Sequence, residues 1–481
     1  MLKVLMATSE AVPFAKTGGL ADVAGTLPAA IDRESADVRI IMPKYGCIAK
    51  QYTDRMQFVA HINVQLGWRN QYCGIFSLVE NGITVYFIDN EFYFIADHLY
   101  GYIHEDVERF AFFSRAVLSV LPTLDFQPDI IHCNDWQTAA IPVLLKAQFQ
   151  DNPFYWRIRT ILTIHNLRYQ GIWDLFAVGD VFGLDDSYKS PDKLEQNGNL
   201  NILKGGIAYA DYVTTVSPTY ANEIKTPEYG EGLDGLIRAR SGQLCGILNG
   251  ISYDEYNPTS DTLIAQRYNR RDFVSGKRVN KLSLQQDFGL RPRPDVLMLG
   301  MVSRLTSQKG FDLLAQIIAS LAERDIQLVV LGTGETRYET MLSWFAGKYP
   351  DRIGAAICFD NALAHRIYAS CDAFLMPSAF EPCGLSQIIS LKYGTLPIVR
   401  ETGGLIDTVQ PYNQYTGEGT GFSFGPYDSH DLWNVLCYVQ DVYHDKGAWQ
   451  GLQRRAMAAD FSWKVSAAAY LELYRRVSGT L

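Results

Sequence analysis

Val296-Leu297-Met298-Leu299-Gly300-Met301-Val302 is an unbroken apolar run, and Ser303-Arg304-Leu305-Thr306-Ser307-Gln308-Lys309-Gly310 follows it directly. A strand with one wet face alternates polar and apolar residues. This run does not alternate, so both its faces are covered, as in a parallel sheet packed between helices. Similar short β-branched runs alternate with helical patterns along the whole chain, the signature of parallel α/β architecture. In the first half the expected strands are 2–7, 38–42, 73–79, 84–88, 129–132, 160–164, 212–216 and 244–248. In the second half they are 296–302, 327–331, 355–359, 373–376 and 397–399. Between the two sets, Asn249-Gly250 and Asn257-Pro258 are turn signals and mark a hinge. Residues 261–294 then read as a polar segment with helical spacing, stopped by Arg291-Pro292-Arg293-Pro294.

Length and composition agree with two domains. A chain of 481 residues is too long for one core. Its 47% hydrophobic and 20% charged content is that of ordinary globular protein. A net charge of -9, with no basic run, argues against nucleic acid as the main partner but leaves room for a local basic site for a small anion. The 28 Tyr, 24 Phe and 8 Trp mostly fill two cores, although such faces also stack on sugar rings. Eight scattered cysteines without any CxxC point to a reducing compartment. The apolar run after Met1 is too short for a signal peptide, and no stretch of about 18 apolar residues is present, so the expected address is the cytoplasm.

Most chemically interesting residues fall just after strands, where open α/β sheets bind ligands. The phrase Thr-Gly-Gly-Leu-x-Asp occurs twice, as Thr17-Gly18-Gly19-Leu20-Ala21-Asp22 after Lys16 and as Thr402-Gly403-Gly404-Leu405-Ile406-Asp407 after Glu401. Paired glycines permit positive φ and close approach of a ligand to the backbone. A helix start there favours an anion, and two such loops suggest two half-sites across a cleft. Arg304 and Lys309 can converge on a diphosphate from a strand-to-helix loop; spacing alone equally fits a solvated surface loop. Glu381, followed by Pro382-Cys383-Gly384-Leu385, can bond a sugar hydroxyl or answer positive charge at an anomeric carbon, with a helix-capping carboxylate as the plain alternative. His165 is open to the same two readings, sugar contact or structural histidine. Asp135-Trp136 resembles a carboxylate beside a stacking platform. Gly332-Thr333-Gly334 reads as a tight turn that can approach a nucleotide, without the rest of a dinucleotide fingerprint. No His/Cys/Asp grouping has metal spacing, so neither a metal nor another cofactor is expected.

Taken together these phrases resemble the bacterial glycogen synthases and plant starch synthases of glycosyltransferase family 5, from Met1 to about Tyr474. The matching stretches include Ser9-Glu10, Lys16 to Val23, Asn134-Asp135-Trp136, His165 to Gly171, Val216 to Ala221, Leu248-Asn249-Gly250, Ser303 to Gly310, Glu381 to Leu385, Leu391 to Thr395 and Asp460 to Trp463. The resemblance implies an α/β GT-B fold, with two Rossmann-like domains facing each other across a deep cleft. An acceptor (glucan) domain would cover residues 1–250 and a nucleotide-sugar domain 251–462, with a C-terminal helix in 463–481 packing back on the first. It implies retaining transfer of glucose from ADP-glucose to the non-reducing end of an α-1,4-glucan such as glycogen, with no metal. Glu381 would be the catalytic carboxylate, His165 would contact the transferred glucose, and Arg304 and Lys309 would hold the diphosphate and stabilise departing ADP. Lys16, Gly18 and Gly19 would reach the donor; Asp135, Trp136 and Asn249 would line the cleft; Phe359 would stack on adenine. Cys383, Gly384 and Leu385 would meet the diphosphate, with Thr402 and Gly403 near glucose.

Three positions depart from the family pattern, and a fourth separates the chain from the related family 4. Gln137 stands where some members have His, Arg168 where some have Ala, and Glu401 where a basic residue is common. Ile389 removes the paired Glu-x7-Glu of family 4. The alternatives are a UDP-glucose-using synthase and an inactive glucan-binding homologue; the joint presence of Lys16, Arg304, Lys309 and Glu381 speaks against the second.

Overall fold

A computed structural model describes residues 1–96 and 98–479. The chain divides into two compact units, Met1–Gly250 with Trp463–Leu481, and Ile251–Ser462. Each is a Rossmann-like α/β layer structure with its own core.

The strands of unit 1 are β1 (Leu2–Ala7), β2 (Ala36–Pro43), β3 (Gln57–Leu66), β4 (Arg69–Glu80), β5 (Ile83–Asp89), β6 (Ile130–Asn134), β7 (Arg159–Ile164), β8 (Ile172–Asp174), β9 (Glu195–Gln196), β10 (Asn199–Asn201), β11 (Tyr212–Thr215) and β12 (Leu244–Gly246). Nine form one sheet in the order β12-β11-β7-β6-β1-β2-β5-β4-β3, and β8-β10-β9 form a small antiparallel sheet. Pairing is parallel from β12 to β5, while β4 and β3 pair antiparallel. The chain runs outward in both directions from β1, so the crevice of this sheet lies past the carboxyl ends of β1 and β6.

Unit 2 contains β13 (Leu297–Val302), β14 (Ile326–Leu331), β15 (Ile353–Ala356), β16 (Ala373–Met376), β17 (Leu396–Arg400) and β18 (Phe422–Phe424), all parallel, in the order β15-β14-β13-β16-β17-β18. The reversal falls between β13 and β16, which places the loops after these strands, carrying Arg304 and Glu381, at the switch point. The apolar run expected at 296–302 forms β13 from Leu297 on, buried on both faces. Gly300 in its middle has a packing reason: a Cβ there would lie 2.8 Å from Cys371 Sγ and from Ile367 Cγ2.

Some expected elements change. The segment at 355–359 is displaced: β15 ends at Ala356, where pairing with β14 stops, and Cys358 and Phe359 are exposed. The helix expected to run to Pro292 spans Phe273–Asp287, because Gly289 turns left-handed (φ 65°) first. Strands β3 and β18 lie at sheet edges and escape a search for buried runs; Phe58 and Val59 of β3 are exposed.

The last helix, Trp463–Ser478, belongs to unit 1 and buries Trp463, Ser466, Ala467, Tyr470, Leu473 and Tyr474, a stripe with helical spacing. Ser466 Oγ donates to the Leu248 carbonyl at 2.6 Å. Tyr474 Oη lies 2.8 Å from His132 Nδ1 on β6, and His132 Nε2 lies 2.6 Å from Thr163 Oγ1 on β7. Burial pushes the His132 imidazole down to about 3, with the neighbouring His165 adding to the effect. The folded site stays neutral while the unfolded chain protonates below its ordinary histidine value, so stability falls as pH falls from about 6.5 toward 3. One extra proton on the unfolded chain gives a slope of about 1.4 kcal/mol per pH unit. Urea unfolding from pH 7 to 5 is expected to be less steeply pH-dependent in His132→Gln than in wild type; identical slopes would remove His132 from the acid response.

Candidate active site

In unit 1 the loop after β1 is organised by a buried carboxylate. Glu10 is 3% exposed, and its Oε2 accepts from Thr17 N at 2.5 Å and Thr17 Oγ1 at 2.9 Å. Burial raises its pKa, opposed by the bonds from Thr17 and the Gly18 amide. This carboxylate fixes the approach to Gly18, the N-cap of the helix Gly19–Ala30. Gly18 is extended (φ -158°), so positive φ is not what the first glycine pair supplies. A Cβ at 18 would meet nothing nearer than Glu10 Oε1 at 4.0 Å. Folding does not demand glycine there, and the space above this backbone is open. Lys16 lies beside this loop with its ammonium 2.7 Å from Asp22 Oδ1.

The ends of β6 and β7 present a second group. Asn134 Nδ2 donates to the Ala7 carbonyl at 3.0 Å, so its Oδ1 is the acceptor that faces His165 Nε2 at 2.9 Å. Nε2 therefore carries the proton and Nδ1 is left as an acceptor. Burial pushes His165 down to about 3, which keeps it a neutral imidazole at physiological pH. Asp135 has a left-handed backbone (φ 55°), and its Oδ1 accepts from His165 N at 2.7 Å and Asn166 N at 3.4 Å. Burial pushes Asp135 up to about 7 despite those bonds. Asn134 thus fixes the ring, and Asp135 the backbone that carries it.

Trp136 corrects the expectation of a stacking platform. It is 6% exposed, edge-on to Phe110, and its ring is so close to Gly171 that a Cβ there would lie 2.4 Å from Cε3. Asn249 is buried, and its Oδ1 has no hydrogen-bond partner among the described residues, as is true of Gln137 Oε1.

In unit 2 the loops after β13 and β16 meet. Lys309 Nζ lies 2.6 Å from Glu381 Oε2, to which Ser378 Oγ also donates at 3.1 Å. Glu381 is 6% exposed, so this carboxylate is desolvated and held by two donors. Gly310, left-handed at φ 81°, lets the Lys309 loop reach this position; a Cβ would lie 2.1 Å from the Pro377 carbonyl oxygen. Arg304 is exposed on the same loop. Gly332 and Gly334 brace that loop: a Cβ at either would collide with the Ser303 or Leu305 carbonyl, and Leu305 N bonds Thr333 O at 2.9 Å. Packing against the Arg304 loop accounts for these glycines.

The second Gly-Gly phrase is built differently from the first. Gly403 is left-handed (φ 46°) and opens the short helix Gly403–Thr408 after the fully buried Thr402. Gly404 N lies 3.1 Å from the Glu381 carbonyl, and a Cβ at 404 would sit 2.3 Å from Cys383 O. Its role is to back the Glu381 loop. Cys383 is buried, while Gly384 (φ 72°) and Leu385 are half-buried ahead of the helix Ser386–Lys392. Glu401 is exposed and accepts from Ser423 Oγ at 2.7 Å. Phe359 is 83% exposed. The structure therefore brings Lys309 with Glu381 in unit 2, and Asp135 with His165 in unit 1. Glu10, Asn134 and Ser378 are organising residues that the sequence reading gave no role. Glu10 and Asn134 stood within shared phrases but were assigned no part.

Among the described residues no group of three or more His, Cys, Asp or Glu side chains is placed to hold a metal ion, and no helix is long and apolar enough to cross a membrane.

Residues 3–239 match the family described as starch synthase catalytic domain, and residues 285–437 the family described as glycosyl transferases group 1. A glycogen synthase of Lachnospira eligens is 57% identical over 98% of this chain and 99% of its own length. One from Lachnoclostridium phytofermentans is 53% identical over the same shares. The catalytic domain of starch synthase IV from Arabidopsis thaliana, solved bound to ADP and acarbose, superimposes with a TM-score of 0.92 at 34% identity, covering 99% of each chain. Sucrose-phosphate synthase from Thermosynechococcus elongatus, with a TM-score of 0.64 at 17% identity over both full chains, shares the fold. The two Rossmann-like units are those of a GT-B glycosyltransferase, and the chain belongs to the glycogen synthase family.

Proposed function

We propose that this glycosyltransferase moves glucose from ADP-glucose to the non-reducing 4-hydroxyl of an α-1,4-glucan with retention, releasing ADP. The observation that carries the reading is the desolvated Lys309–Glu381–Ser378 cluster at the switch point of unit 2. Lys309 and Arg304 neutralise the diphosphate as the bond to the anomeric carbon breaks. Glu381 faces the positive charge that develops on the sugar. His165, neutral and with Nε2–H committed to Asn134, keeps Nδ1 as an acceptor for a glucose hydroxyl. Lys16 gives up Asp22 for the donor, and Gly18 offers bare backbone. Phe359 stacks on the base. No second carboxylate is assigned as a nucleophile on the opposite sugar face. Front-face attack, in which the departing phosphate takes the proton of the incoming hydroxyl, balances the transfer. The ADP-bound starch synthase relative supports the choice of nucleotide.

The test incubates the protein with glycogen and either ADP-glucose or UDP-glucose, and follows nucleotide release and chain growth. Turnover with ADP-glucose is expected. Turnover with UDP-glucose alone would overturn the donor, and none with either would overturn the synthase reading.

A further inference from the structure

A second candidate site lies in unit 2, away from the Glu381 loop. A cavity of about 530 Å³ is lined by Arg270, Arg271, Lys392 and Arg454, together with Asn257 and Asn269, and contains no carboxylate in its lining. Its volume is that of a small-molecule site. Four cations in one concave surface repel one another and are ordinarily separated or paired. Here none of the four makes an ion pair within 4 Å among the described residues.

Two of the four are instead backed by aromatic rings. Lys392 Nζ stands 3.6 Å from the centroid of the Tyr253 ring, and the Arg454 guanidinium 5.6 Å from that of Phe273. Burial lowers the Lys392 pKa and the charge of Arg270 lowers it further, against the opposing pull of Asp460. Asp460 accepts from Ser462 N at 2.9 Å, and Asp272, next in sequence to Arg271, accepts from Asn269 N at 2.7 Å. The nearby carboxylates are thus turned to backbone amides, and the cavity keeps a positive field.

We propose that this cavity is a binding site for a small phosphate-bearing molecule of sugar-phosphate size, with the cations on its phosphate and Asn257 and Asn269 on its hydroxyls. A mobile chloride would satisfy one charge; a phosphoester satisfies two and fills the volume. The site is independent of the donor assignment, since none of its residues belongs to the loops after β13 or β16. Lys392 closes the helix Ser386–Lys392, whose other end follows Gly384-Leu385 about 10 Å away. An occupant here therefore touches an element that also supports the Glu381 loop.

The test is calorimetric titration of the full-length protein with glucose 1-phosphate, with and without saturating ADP. Saturable binding that persists with ADP and weakens at least tenfold in Arg270→Ala/Arg454→Ala is expected. Both arginines are exposed, and an unchanged circular dichroism melt shows that the variant is folded. Binding abolished by ADP would place the ligand in the donor site and overturn the proposal. So would binding that the double variant leaves unchanged, or no saturable binding at millimolar ligand.

Discussion

Glu381→Gln is expected to reduce glucosyl transfer by about a thousandfold, the order of loss that removing a positioned catalytic charge brings, while ADP affinity changes little. The substitution is nearly isosteric. An amide oxygen still accepts from Lys309 and an amide N–H can turn to the Ser378 oxygen, so the loop keeps both of its supports. In the proposed mechanism what disappears is the negative charge opposite the developing oxocarbenium, and that charge is felt only as the anomeric bond breaks. A loss confined to kcat is the signature of such an interaction. Transfer within tenfold of wild type, with glycogen and ADP-glucose both saturating, would take the catalytic role from Glu381. Loss of ADP binding in the same variant would recast the residue as an organiser of the nucleotide loop.

Why Glu381 was legible in the sequence, and Glu10 only faintly so, follows from where information resides. β13 and its neighbours announce themselves because a strand covered on both faces has no polar residue to interrupt it. Their following loops stand out because charged residues, Pro and Gly end such runs abruptly. Edge strands such as β3 lack that contrast, and their exposed Phe58 and Val59 weaken the alternation. Residues that act on another residue leave less trace still. Asn134 orients His165 across two strands, and Ser378 reaches Glu381 across a loop, through contacts that exist only once the sheets are assembled. Trp136 shows the opposite error. An aromatic beside a carboxylate suggests a sugar platform, yet Gly171 makes room for the indole in the core. The twin Thr-Gly-Gly-Leu phrases share letters and not geometry: Gly18 is extended with space above it, while Gly403 is left-handed and Gly404 packs on Cys383.

Lys309→Met is expected to cost transfer about as much as Glu381→Gln, for two coupled reasons. In the proposed mechanism the ammonium is lost from the diphosphate, and Glu381, 6% exposed, is left with the Ser378 hydroxyl as the remaining donor of the cluster. A buried carboxylate deprived of its cation disturbs the loop that holds it. Lys309→Arg keeps a charge but not the length and compact head of the lysine, and is expected to recover part of the activity. The decisive measurement is the double variant. Groups in direct contact that act as one unit lose most of their function with the first substitution. Lys309→Met/Glu381→Gln is therefore expected to be within about tenfold of the worse single variant, rather than about a millionfold below wild type as independent losses would multiply to. Multiplicative losses would show that the 2.6 Å contact between Lys309 and Glu381 is a neighbourly ion pair and not a catalytic unit. In that case diphosphate stabilisation and charge stabilisation at the sugar would be separate contributions, each to be assigned on its own.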